Sequence, residues 1–138
     1  MARRLSILYV AITALVIIFQ CAVIAGAPLG SFTQGGASQG ALGPEGRMTA
    51  AISIVILLLT AIVIYRYGSK MPSTKSPLWL RITFPLVFTL NCLEFVLNWI
   101  TPSESERLVW GPVNTVLFGC VIAIAWTQRQ ARRKDKTL

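Results

Sequence analysis

Five strongly polar side chains sit in otherwise apolar sequence: Gln20, Asn91, Glu94, Asn98 and Asn114. Glu94 is the sharpest of them. An acid near the centre of a membrane helix costs about 3 kcal/mol on insertion scales, so it must be neutralised, hydrated or paired. No Lys or Arg lies in the surrounding apolar stretches, and the nearest partners in sequence are Asn91 and Asn98, one turn before and one turn after. At 100° per residue those two asparagines nearly superimpose, with Glu94 about 60° away on the same face. A carboxylate flanked by amides is suited to recognising a cation or a small polar molecule. It is poorly suited to bond-breaking. The chain has no histidine, and Cys92 stands two residues from Glu94. That spacing separates the two side chains by roughly 200° on a helix, which does not make a nucleophile–base pair. Cys21, Cys92 and Cys120 are unclustered, so no metal or cofactor site is expected and the thiols read as small apolar filler. The chain is not expected to be an enzyme.

The elements that must hold these residues are four apolar stretches, at about 5–25, 48–65, 82–100 and 108–127. A helix needs about 20 apolar residues to cross roughly 30 Å of hydrocarbon. Hydrophobic residues make up 54% of the 138, and charged residues only 13%, about half the share usual in soluble domains. The expected fold class is an all-α membrane protein: one four-transmembrane-helix bundle filling 1–138, with a basic tail from 128 to 138 and no room for a second domain. A basic n-region and Ala25-Gly26-Ala27 imitate a signal peptide. The apolar run is longer than a 7–15-residue h-region, so a retained helix is expected.

Charge placement gives the topology. Of thirteen Lys and Arg, eleven fall before the first span, between the second and third, or after the fourth, leaving only Arg47 and Arg107 for the other side. The positive-inside rule makes the rich side cytoplasmic, so both termini are expected there. The formal charge of +8 is thereby read as a topology signal near anionic lipid and not as a nucleic-acid surface. Tyr65, Tyr67, Trp79 and Trp126 at one end, and Trp99 and Trp110 at the other, fit aromatic belts.

Polar stripes orient the spans: Ser6, Thr13 and Gln20 on the first, Thr49, Ser53 and Thr60 on the second, and Gly111, Thr115 and Gly119 as a small-residue series on the fourth. Such stripes should face other helices. Pro85 and Pro112 free the carbonyls of Arg81 and Leu108, and Ser103-Glu104-Ser105-Glu106 fits a capping box that starts the fourth helix. Given the topology, Gln20, Asn91, Glu94, Asn98 and Asn114 share the outer half of the membrane. If the stripes converge, they form an outward pocket. Above it lies the segment 26–46, with seven of the ten glycines and a single charge, Glu45. A short hairpin around Gly35-Gly36 would let Phe32, Gln34, Gly35 and Gly36 cover the pocket.

Gly26, Ala27, Pro28, Gly30, Gly35 and Gly36, followed by Asn98, Ser103, Glu106, Arg107, Gly111 and Pro112, resemble the loops of small, uncharacterised four-span bacterial integral membrane proteins. That resemblance implies the bacterial inner membrane and brings no activity with it. Small multidrug resistance transporters share the size and the single membrane carboxylate. Their acid is in the first span, where this chain has Gln20. The leading expectation is therefore small-molecule or cation binding or transport around Glu94, with the bilayer as constant partner and a homodimer possible. The competing readings are an accessory subunit packed on a larger membrane protein through Gly111, Thr115 and Gly119, and, least supported, a membrane enzyme.

Overall fold

The computed structural model describes residues 1–36, 38–69 and 77–135; Ala37, Lys70, Lys75 and Lys136, which enter the hairpin and topology expectations, lie outside the described residues. Four helices dominate: α1 (Ala2–Ile24), α2 (Pro44–Ser69), α3 (Leu78–Ile100) and α4 (Glu104–Asp135). Each is long and apolar enough to cross a membrane.

The boundaries follow from local chemistry. Between Ala2 and Ile24 there is neither glycine nor proline. The helix stops where Gly26 takes φ 93°, a left-handed conformation that glycine adopts without a Cβ penalty. The Gly26 N–H then donates to the Val23 carbonyl and the Ala27 N–H to the Ala22 carbonyl, a Schellman closure of the last turn. Pro44 stands at the first position of α2, where its missing N–H is harmless, with Glu45 in the same turn. Pro102 ends α3 by forcing Thr101 into extended backbone. Ser103 caps α4, its Oγ accepting the Glu106 N–H at 3.2 Å. Pro85 and Pro112 both remain inside helices.

Beyond the fourth apolar stretch α4 continues as helix to Asp135, because neither glycine nor proline interrupts residues 128–135. Arg132, Arg133 and Lys134 in the last turn complement the helix dipole, as Glu104 and Glu106 do in the first. Gln128 donates from Nε2 to the Tyr67 carbonyl at 2.9 Å, tying this extension to α2.

The helices pack in ring order. α1 lies between α2 and α4, α3 lies against α4, and the α2–α3 side is the loosest of the four. The core is partly polar and the outside apolar. Ser6 and Thr13 are 0% and 1% exposed, whereas Leu15 and Ile18 are 67% and 64% exposed. This inverts a soluble protein's pattern and is the surface expected where lipid replaces water. The apolar core gathers Tyr9, Ile64, Leu80, Phe84, Val121 and Ile124 toward the basic end, where α1 begins, α2 ends and α4 runs out.

The hydroxyls on the polar stripes satisfy themselves within their own helices. Thr13 donates to the Tyr9 carbonyl, Ser53 to Thr49, Thr89 to Pro85 and Thr115 to Gly111. Cross-helix contacts come instead from Tyr9 to Asn91, Trp99 to Thr115 and Gln128 to Tyr67. The expected small-residue face on α4 is already partly taken. Gly111 is buried under the Trp99 ring, whose carbons would lie 3.2 Å from an added Cβ, and only Gly119 faces open space.

Where α1 and α2 approach most closely, a Cβ on Gly68 would fall 2.7 Å from the Ser6 Cβ. Gly68→Leu should therefore push these helices apart and lower stability by about 1–3 kcal/mol. Gly119→Ala should leave it within about 0.5 kcal/mol of the wild type. Thermal unfolding of the two variants in one detergent compares them directly.

Candidate functional site

A cavity of about 280 Å³ lies among all four helices at the end that carries the glycine-rich loop. Its wall includes Gln20 from α1, Glu94 and Asn98 from α3, and Asn114 from α4. Helical repeat explains the convergence on α3: Glu94 and Asn98 are one turn apart on one face. On α4 the wall runs from Glu106 to Leu117 and on α1 from Gln20 to Tyr9, about 16 Å of helix rise in each case, or half of a bilayer core.

Asn91 takes a different place. It is 2% exposed and forms no part of the cavity wall. Its Oδ1 accepts the Tyr9 hydroxyl at 2.9 Å and its Nδ2 donates to the Val87 carbonyl at 2.9 Å. With both ends of the amide occupied, it holds the Tyr9 ring as the floor of the cavity. Asn98 and Asn114 each donate one amide N–H to their own helix, to the Glu94 and Trp110 carbonyls, which orients both side chains.

Two groups in the wall stand out for what they lack. Among the described residues, no hydrogen bond or ion pair reaches the Glu94 carboxylate. The Gln20 Oε1 is buried with no hydrogen-bond partner. A buried acceptor in that state costs about 1–3 kcal/mol. The wall also contains a second acid, Glu106, and no Lys or Arg.

The loop lies over this end, and the second arm of the expected hairpin includes Ala37, outside the described residues. No strand is present among the described residues; the segment makes two short 3-10 turns, Gly30–Phe32 and Gln34–Gly36. Gly35 and Gly36 do take the left-handed φ that a hairpin turn would need, at 77° and 69°, but Gln34 takes it too, at 53°. These three residues in succession have positive φ, and the Gly35 N–H among them reaches α4 at Glu106. Gln34 lines the cavity, and its Nε2 donates to the Gly46 carbonyl at 2.7 Å. Phe32 contributes its carbonyl, which accepts the Trp110 Nε1–H at 2.6 Å. The Gly35 N–H donates to the Glu106 carboxylate at 2.8 Å. Gly36 sits so close to Ser103 that a Cβ would lie 2.6 Å from its Oγ, and that hydroxyl donates to the Ser31 carbonyl at 2.8 Å.

Glu106 thus departs from the capping-box expectation. Ser103 fulfils its half, but the Glu106 carboxylate accepts from Gly35 and from the Thr101 hydroxyl at 2.8 Å each. Glu106 thereby joins Ser103 and Trp110 in tethering the loop to the start of α4.

Comparison with family models, with curated proteins and with solved structures finds no match. The functional reading therefore rests on the site itself.

Sequence reasoning missed Tyr9, Glu106, Ser53 and Trp110 as wall residues. Tyr9 had a readable signal, since it shares the Ser6–Thr13 face at helical spacing. Trp110 passes for a belt aromatic, yet its ring packs edge-on against Phe19 at 4.7 Å between centroids. Ser53 had been assigned to helix packing.

Replacing Glu106 with alanine removes both charge-assisted contacts, each worth about 1.5–3 kcal/mol. Amide exchange at Thr33–Gly36 should then accelerate by about tenfold or more, with the helices unchanged. Exchange monitored by mass spectrometry tests this, and unaltered protection of the loop would show that Glu106 does not tether it.

Proposed function

We propose that this protein binds a small organic cation in the cavity beside Glu94. In this reading it is a multi-pass protein of the bacterial cytoplasmic membrane with the cavity on the outward side. The observation that carries the proposal is a Glu94 side chain with no hydrogen-bond or ion-pair partner among the described residues, in a wall that holds one further acid, Glu106, and no Lys or Arg. A cleft of that sign favours positive charge, because nearby carboxylates attract cations more strongly as the surroundings become less polar.

The other wall groups suit such a ligand. Tyr9 and Trp110 supply aromatic faces, which attract ammonium groups by about 0.5–2 kcal/mol. Gln20 Oε1 is an acceptor waiting for a donor. The volume of about 280 Å³ lies just below the usual range of roughly 300–1,000 Å³ for ligand pockets, which favours an alkylammonium ion over a large drug. The loop from Phe32 to Gly36 acts as the cover. The outward orientation is supported by the Lys and Arg distribution, and the bacterial inner membrane by the resemblance of the loops.

Binding of tetramethylammonium and primary alkylammonium ions to the purified protein in detergent, measured calorimetrically, tests the proposal. Glu94→Gln keeps shape and removes charge, and should weaken binding by about tenfold or more. Glu106→Gln should weaken it less, because that carboxylate is already engaged by the loop. Equal affinity in wild type and Glu94→Gln, or no binding of any ammonium ion by the wild type, would sink the reading.

A further inference from the structure

A concavity larger than the cavity beside Glu94 lies at the opposite, basic end, between α3 and α4, and shares no wall residue with it. It encloses about 900 Å³. Its character changes with depth. Arg81 from α3, with Arg129 and Arg133 from α4, lie at its mouth, and Phe84, Phe88 and Trp126 line it further in. On α3 the sequence Arg81, Phe84, Phe88 descends one helix face at spacings of three and four. That carries the wall from guanidinium to aromatic ring over about 10 Å. On α4 the same grade runs in the opposite chain direction, from Arg129 to Trp126 to Ile122, as antiparallel neighbours require. Among the described residues, no acid belongs to the wall.

The upper wall is braced by aromatic stacking. Tyr67 of α2 stacks on Phe84 with centroids 3.7 Å apart and planes inclined by 12°, and the Arg132 guanidinium lies over the Tyr67 ring at 5.8 Å. Trp126 is 66% exposed and Leu86, on the lipid side of α3, 60%, so the groove opens onto the surface that faces hydrocarbon. A site that is cationic at the membrane–water boundary and apolar and aromatic below it repeats the profile of one molecule type: a phospholipid with a negative headgroup.

We propose that this groove holds an anionic phospholipid of the leaflet at the basic end, its phosphate on Arg81, Arg129 and Arg133 and an acyl chain along Phe84, Phe88 and Trp126. Charge complementarity selects the headgroup. Guanidinium groups bind phosphate by paired, charge-assisted hydrogen bonds, and basic pockets between membrane helices favour anionic lipids. A zwitterionic lipid offers the same phosphate with an ammonium group that the arginines repel.

Native mass spectrometry of the protein with added phosphatidylglycerol or phosphatidylcholine tests the assignment. The wild type should retain one phosphatidylglycerol about tenfold or more strongly than phosphatidylcholine. The double variant Arg129→Gln/Arg133→Gln should lose that preference. Arg3→Gln/Arg4→Gln, which removes the same charge from the same end outside the groove, should keep it, and so should Glu94→Gln, which separates this result from the cation site. Equal retention of both lipids by the wild type overturns the proposal without recourse to any variant. An equal loss in the Arg3/Arg4 variant does so as well, because it reduces the effect to diffuse surface charge. Displacement of the lipid by millimolar inorganic phosphate would also overturn it, by reducing the groove to a simple anion site.

Discussion

Hydrocarbon offers no hydrogen bonds, and that constraint organises this molecule. Each polar group in the spans must find a partner inside the protein. Most do so at the shortest range available: Thr13, Ser53, Thr89, Thr115 and Thr127 each donate to the carbonyl one turn back. Such bonds ask nothing of a neighbouring helix and specify no partner. The pair that does join helices through the core, Tyr9 with Asn91, works because Asn91 can also donate to Val87, so neither residue is left half-satisfied. Against that background the Glu94 carboxylate and Gln20 Oε1 are conspicuous. A bundle able to satisfy so much of its interior has left two acceptors at the same cavity without donors.

The loop is held by backbone and small residues because side chains would not fit. Gly30 lies where a Cβ would meet the Gly40 carbonyl oxygen at 2.6 Å, and Gly36 where it would meet the Ser103 hydroxyl at 2.6 Å. Leu42 is the one large residue the segment buries, against Val23 and Ala50. The loop therefore reaches the start of α4 by close approach and fixes itself there with three kinds of bond: a serine hydroxyl, an indole N–H and the Glu106 carboxylate. The first turn of α4 carries the positive end of its dipole, which favours a carboxylate at that position. One acid thus serves the helix and the loop together.

The spans and their number were legible because a bilayer sets a minimum apolar length and few sequences meet it by accident. The convergence of Gln20, Glu94, Asn98 and Asn114 was legible from helical period and shared depth. Asn91 was assigned to the same wall because period alone places it beside Asn98. What period cannot reveal is the hydroxyl of Tyr9 reaching from another helix to use up its amide. Glu106 was hidden for a related reason: Ser103 and Glu106 have capping-box spacing, and the competing donor, Gly35, is distant in sequence. Positive φ at Gln34, unfavourable for a residue with a Cβ, is not advertised by composition. The length of α4 beyond its apolar part is not set by the apolar count that defines a span. A basic last turn extends a helix as readily as it ends one.

The two ends of the bundle are electrostatic opposites, and what lies between them limits the mechanism. The acid-lined cavity bottoms out at Tyr9 and Leu117, and both belong to the apolar core that continues through Val121 and Ile124 toward the basic end. No water-sized path needs to exist for binding, but one must open for a cation to cross. The tight α1–α2 contact at Gly68 and Ser6 and the Gln128–Tyr67 bond resist opening at those seams. The α2–α3 side is the loosest of the ring, and both helices contribute to the cavity wall, through Ser53 and Glu94. Any movement that admits a ligand past the floor therefore meets least resistance by parting α2 from α3. Such a movement would strain the stacked Tyr67 and Phe84 at the far end of the same two helices.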